Sequence, residues 1–253
     1  MDVIYEQPLN EQIRLCLRLE YLFFQVDHYR NKTSFWDSHQ LIKIILEILQ
    51  VTDRPDLKNK FFQNLNQYFQ VLSQLEKVSK VDKKTLDYTL KQIKYFIDGL
   101  HNDAYKIGQK LRENDFLASI QQRLSTPAGT SGSSLPAYHL WLQQSDAVRN
   151  HQISSWLEHL TLLRGVVALI LKLVRESSLF SKAVAVAGFY QSNLDPSVPN
   201  QLIRVKLAAN VGAFPECSIG RYRLTVHFFC LNPNGHTTQL TDDLSFQLAC
   251  CKL

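Results

Sequence analysis

Apolar residues recur every three or four positions from Asn10 to about Ser178, and every two positions beyond it. The first spacing is that of one helix face and the second that of one strand face. Ile13, Leu17 and then Leu22 or Phe24 predict a helix from Asn10 to about Arg30. Asn10 stands at its cap and Glu11 at the positive end of its dipole. A second helix is predicted from Ser34 to Gln50, with Pro55 in the first turn of a third. Leu57, Phe61, Leu65, Tyr68, Leu72 and Leu75, a break at Ser79 to Asp82, and then Leu86, Leu90, Ile93, Ile97 and Leu100 predict two long helices in a hairpin. Its Gln-, Asn- and Lys-rich faces suit projection towards another copy of the chain, or an ordinary bundle core. Small and turn-forming residues from Ser125 to Pro136 interrupt the helices. Ser145 or Asp146 then starts a long helix reaching about Arg175. Beyond it, 183–191, 201–208, 221–231 and 244–251 read as strands between Asn/Asp/Pro/Gly breaks such as Asn193 to Pro196 and Asn232 to Gly235. The expected class is α+β: a helical bundle domain over 1–178, then a small, mainly antiparallel β-domain over 179–253.

Composition narrows the chemistry. A chain of 253 residues can bury a substantial core without staples. Its five cysteines form no Cys-x-x-Cys pair, and Cys250 and Cys251 are adjacent, so a reduced cytosol is expected and zinc is not. The first residues lack a basic segment followed by an apolar one, so no secretory leader is expected. The apolar run 165–171 lies between Arg164 and Lys172 and is far shorter than the ~20 residues that span a bilayer. It reads as a buried helix segment, and no membrane insertion is expected.

The turn-rich stretch 125–136 has free amides that could cradle a phosphate. It contains no lysine and no Gly-x-Ser-x-Gly elbow, so a structural loop is the better reading. His151 and His159 are eight apart without a metalloprotease motif between them, and Cys16, Cys250 and Cys251 fall where packing is the usual role. No catalytic residue, metal site or cofactor is expected. The formal charge of +5 favours acidic partners without naming them. In the β-half, Arg204 and Lys206 alternate with Ile203, Val205 and Leu207, and Arg221 and Arg223 alternate with Tyr222 and Leu224. Each pair should therefore share a sheet face away from its apolar neighbours. Such faces are either solvated surface or a contact for an acidic ligand.

Literal strings add to this reading. Glu6-Gln7-Pro8-Leu9-Asn10-Glu11, followed by Leu17-Arg18-Leu19-Glu20, resembles the start of the ZapD family. Four further stretches are similar to its landmarks in order: Lys106 to Glu113, Gln122 to Gly129, Leu135 to Leu142 and Gly188 to Gln191. The closing run Leu244 to Cys251 completes the series. The resemblance implies a cytosolic, non-enzymatic homodimer, recruited to the midcell division ring, that binds the acidic C-terminal peptide of the tubulin-like protein FtsZ and bundles its filaments. It also implies partner-binding roles for Arg18, Arg54, Arg112, His139 and Arg223. His227 stands where the family pattern leads one to expect arginine, and Arg204, Lys206 and Arg221 join the candidates through their spacing. A competing reading is a single-stranded nucleic-acid binder using the basic strands and exposed Tyr/Phe as a stacking platform. Another is a small-molecule enzyme centred on His139.

Overall fold

The computed structural model describes residues 2–30, 32–77, 82–102, 104–195, 197 and 199–253. Two compact units emerge: Cys16–Ile170, which is helical, and Met1–Leu15 with Leu171–Leu253, which holds the sheets. The division falls within α1 (Glu11–Arg30) and α9 (Thr161–Glu176), each of which runs through it.

The remaining helices are α2 (Phe35–Val51), α3 (Leu57–Gln74), α4 (Lys83–His101), α5 (Gln109–Arg112), α6 (Asp115–Leu124), α7 (Pro136–Leu142) and α8 (Asp146–Glu158). Asn10 caps α1 as expected, its Oδ1 accepting from Ile13 N at 2.8 Å, and Ser34 caps α2 through Trp36 N at 3.2 Å. Of the alternatives in α1, Leu22 enters the core and Phe24 is exposed. The apolar residues of α2 from Leu41 to Leu49 are buried, with Glu47 on its exposed side, and α6, α7 and α8 pack against it. The expected helix pair is present as α3 and α4, packed on each other, with Phe61, Leu65 and Tyr68 facing inward on one and Leu86, Leu90 and Ile93 on the other. Ser79, Lys80 and Val81 of the expected break lie outside the described residues. Asp82 caps α4, accepting from Lys84 N at 3.0 Å and from Thr85 Oγ1 at 2.6 Å. The long helix expected from Ser145 to Arg175 is instead two helices. At the turn, His159 N and Leu160 N bond to carbonyls three residues back, and Leu160 is buried there.

The second unit is an antiparallel sandwich. One sheet has the order β1 (Asp2–Pro8), β4 (Asn200–Ala208), β8 (Leu244–Lys252), β2 (Ser181–Ala185). The other has β3 (Phe189–Asn193), β6 (Arg223–Leu231), β5 (Ala213–Ile219), with β7 (Thr237–Gln239) also on β6. Ile203, Val205 and Leu207 of β4, Phe246 and Leu248 of β8, and Leu224, Val226 and Phe228 of β6 share the core between them. The expected strand 183–191 is a hairpin instead. Ala187 (φ 48°) and Gly188 (φ 69°) make its two-residue turn, and Asp243 Oδ1 accepts from Ala187 N at 2.9 Å. A Cβ on Gly188 would lie 2.1 Å from the Leu240 carbonyl oxygen, so only glycine fits. β1, at the opposite end of the sequence, pairs in unbroken register with β4, from Asp2 opposite Ala208 to Pro8 opposite Leu202.

Candidate partner-binding surfaces

In the helical unit, Arg18 on the outer side of α1 and Arg54 in the α2–α3 connection line one open cleft of about 570 Å³, together with Tyr21, Leu22, Glu47 and Val51. Arg54 also borders a second cleft, of about 670 Å³, with Lys58, Lys106 and Arg112. Three candidate arginines thus meet around the corner where α2 ends. Their roles differ. The Arg112 guanidinium donates to Leu49 O at 2.7 Å, to Thr52 Oγ1 at 3.2 Å and to Ile107 O, with Asp53 3.6 Å from its Nε. It caps the Leu49 carbonyl near the end of α2 and ties it to Thr52 and Ile107, which holds the corner in shape, whereas Arg18 is exposed to solvent. Gly108 (φ 68°) opens α5 beside it, where a Cβ would lie 2.5 Å from Leu49 and 3.0 Å from the Arg112 guanidinium.

Tyr21 is the residue that sequence reasoning missed here. It is 65 % exposed on the outer side of α1 and shares the cleft with both Arg18 and Arg54. The available signal was an aromatic residue three positions after Arg18 at a polar phase of the helix. His139 is not part of this corner. It is exposed on α7, next to Gly132 of the turn-rich loop.

The basic residues of the β-unit occupy both sides of the sandwich. Arg204 and Lys206 leave the core together from β4, as their alternation predicts, yet both have partners. Glu6 accepts from Arg204 Nε at 2.9 Å and receives a two-pronged grip from Arg175 at 2.9 and 2.6 Å. Lys206 pairs with Asp2 at 2.9 Å, which holds the Asp2 carboxyl below its ordinary range, and the Phe180 ring lies 5.0 Å from Arg204 and 5.7 Å from Lys206. Arg223 and His227 emerge from β6 on the other side. Arg221 precedes β6 rather than belonging to it, and its guanidinium lies 5.3 Å from the ring of Tyr222. Tyr222, expected to face inward, is therefore exposed, because the strand begins one residue after it.

Among the described residues no group of three or more His, Cys, Asp or Glu could hold a metal ion, and no helix is long and apolar enough to cross a membrane. Burial pushes the Cys16 thiol up to about 12 and the Cys217 and Cys251 thiols up to about 11, so at neutral pH all three are protonated. That suits packing rather than nucleophilic attack.

The profile of the ZapD family, described as a cell division protein, matches residues 17–227. A cell division protein ZapD of Coxiella burnetii is 39% identical over 253 residues, covering 99% of this chain and 98% of its own length. Those of Methylococcus capsulatus and Nitrosomonas europaea are 33% and 31% identical, covering 100% and 99% of this chain and 99% and 95% of their own lengths. The chain belongs to the ZapD family of cell division proteins.

Proposed function

We propose that the chain is a non-enzymatic adaptor that binds the acidic C-terminal peptide of FtsZ and, as a homodimer carrying two such sites, cross-links FtsZ filaments at the midcell ring. The observation that carries this reading is the α2 corner, where Arg18 and Arg54 flank Tyr21 in an open cleft. Guanidinium groups grip carboxylates with two parallel hydrogen bonds, and a neighbouring ring accommodates an apolar side chain, so the pair suits an acidic peptide with hydrophobic residues. A single contact of this kind is weak. Two sites acting on filaments that display many tails raise the apparent affinity by about 10²-fold or more.

Co-sedimentation with FtsZ polymers tests the proposal. The chain should pellet with intact FtsZ and bundle it, and should remain in the supernatant with FtsZ lacking its tail. Pelleting that is indifferent to the tail overturns it.

A further inference from the structure

Arg54 borders two clefts, and the one that the proposed tail contact leaves empty has the dimensions of a small-ligand site. It encloses about 670 Å³ beside the end of α2, the first turn of α3 and α5, within the roughly 300–1,000 Å³ typical of such sites. Arg54, Lys58, Lys106 and Arg112 line it against the carboxylates of Asp53 and Glu113, a local charge of +2. Both carboxylates already have partners. Asp53 lies 3.6 Å from Arg112 Nε, and Glu113 accepts from Gln109 Nε2 at 2.6 Å. Arg112 is itself committed to Leu49, Thr52 and Ile107, so the cationic character that remains belongs to Arg54, Lys58 and Lys106.

The two lysines come from different elements. Lys58 Nζ donates to Asn102 O at 2.9 Å, which ties the first turn of α3 to the segment carrying Lys106 and leaves two ammonium hydrogens for a ligand. Among the described residues Lys106 has no carboxylate partner. Like charges gathered round one cleft repel each other, and a compact ligand with several negative charges relieves that repulsion at once. An acidic peptide spreads its carboxylates along the chain at about 3.3 Å per residue, whereas a di- or triphosphate concentrates them. Pro55 and Ile107 add apolar lining for the rest of such a molecule.

We propose that this cleft binds the phosphate chain of a small ligand through Lys58, Lys106 and Arg54, a nucleoside di- or triphosphate being the class that fits. Arg54 also lines the cleft of Arg18 and Tyr21, so an occupant here draws its guanidinium from the tail site, and by linkage the two ligands oppose each other. That opposition rests on the reading of the chain as a binder of the FtsZ tail; the phosphate site does not.

Isothermal titration calorimetry of the full chain with adenosine triphosphate, guanosine triphosphate and tripolyphosphate, at constant ionic strength, tests the site. Lys58→Gln and Lys106→Gln should each weaken binding about 10-fold or more. Lys106→Gln should melt like the parent, and it carries the test should Lys58→Gln melt early. A nucleoside triphosphate that outbinds tripolyphosphate supports a nucleotide, and equal binding supports a site for the phosphate chain alone. Heat that is the same in the parent and both lysine variants, or that sodium sulfate reproduces, overturns the site. Oligothymidine that binds more tightly than the triphosphates with the same lysine dependence also overturns it. Fluorescence anisotropy of the synthetic FtsZ tail peptide reads the opposition. A saturating triphosphate should weaken the peptide about 5-fold or more in the parent, and should have no effect on Lys106→Gln at a concentration that leaves that variant unoccupied. Triphosphate binding without a change in tail affinity overturns the Arg54 link. A parent chain that binds triphosphate but no tail peptide overturns the tail reading and leaves the site standing.

Discussion

Arg112 and Arg18 carry the same charge and share a neighbourhood, yet the structure assigns them different work. Removing a guanidinium that caps three buried or half-buried acceptors leaves those acceptors unsatisfied. Arg112→Ala should therefore lower stability by about 1–3 kcal/mol and weaken tail binding as a consequence. Arg18→Ala removes only an exposed side chain. It should leave the melting temperature unchanged and weaken binding alone, and thermal melts beside peptide titrations read the split. The sequence shows both as basic residues of landmark strings. It does not show that the acceptor for Arg112 is Leu49, 63 positions earlier, because that pairing exists only once α2 and α5 meet. His39 offers a second residue-scale test. Its Nδ1 lies 2.7 Å from the Tyr138 hydroxyl, and burial, helped by Lys43, lowers its pKa below the ordinary value. A depressed folded-state value means that stability is complete above about pH 6.5 and lost as pH falls through the lower value. Melting temperature should drop between pH 7.5 and pH 5, and His39→Gln should flatten that slope.

Among the elements, β1 was the one least visible in the sequence. The stretch from Asp2 to Pro8 reads as the approach to a capped helix, and its partner strand lies some two hundred positions away, beyond the reach of any local pattern. The hairpin at Ala187 and Gly188 was hidden for a different reason: β2, turn and β3 together look like one β-rich segment, and alanine is an unusual residue at positive φ. By contrast, α1 to α4 were legible from three-to-four spacing, with caps at Asn10, Ser34 and Asp82; α3 starts at Leu57, so Pro55, expected in its first turn, stands just before the helix. β4, β6 and β8 were legible from alternation, to within two residues at their ends. The α8–α9 break was not, since no Gly or Pro marks it. What fastens β1 is Glu6 between Arg175 and Arg204. Glu6→Gln removes the anion while keeping the shape, and should destabilise the sheet unit by about 1–3 kcal/mol, readable as earlier loss of amide protection in β1 and β4 by hydrogen exchange.

For the whole molecule, the proposed function separates two kinds of contact. In that proposal, arginines in open clefts would meet an acidic tail through water, and salt screens such contacts over about 8–10 Å at moderate ionic strength. Bundling should fall steeply with added salt while sedimentation equilibrium still shows a dimer, since a dimer held by apolar contacts would not be screened. Dissociation of the dimer in step with the loss of bundling would contradict this. Valency gives the second whole-molecule test. A folded monomeric variant should bind one tail peptide with near-normal affinity and fail to bundle filaments.

The pairing of β1 with β4 also sets an order of events during synthesis. Asp2 to Pro8 are made some two hundred residues before the strand they join, residues 202–208. The helices of Cys16–Ile170 need only contacts within their own stretch and can settle while translation continues. The N-terminal segment must wait through that interval as an unpaired strand carrying Val3, Ile4 and Tyr5. The sandwich therefore closes only once β4 and β8 have been made, so β1, made long before either, is among the last strands to find its place.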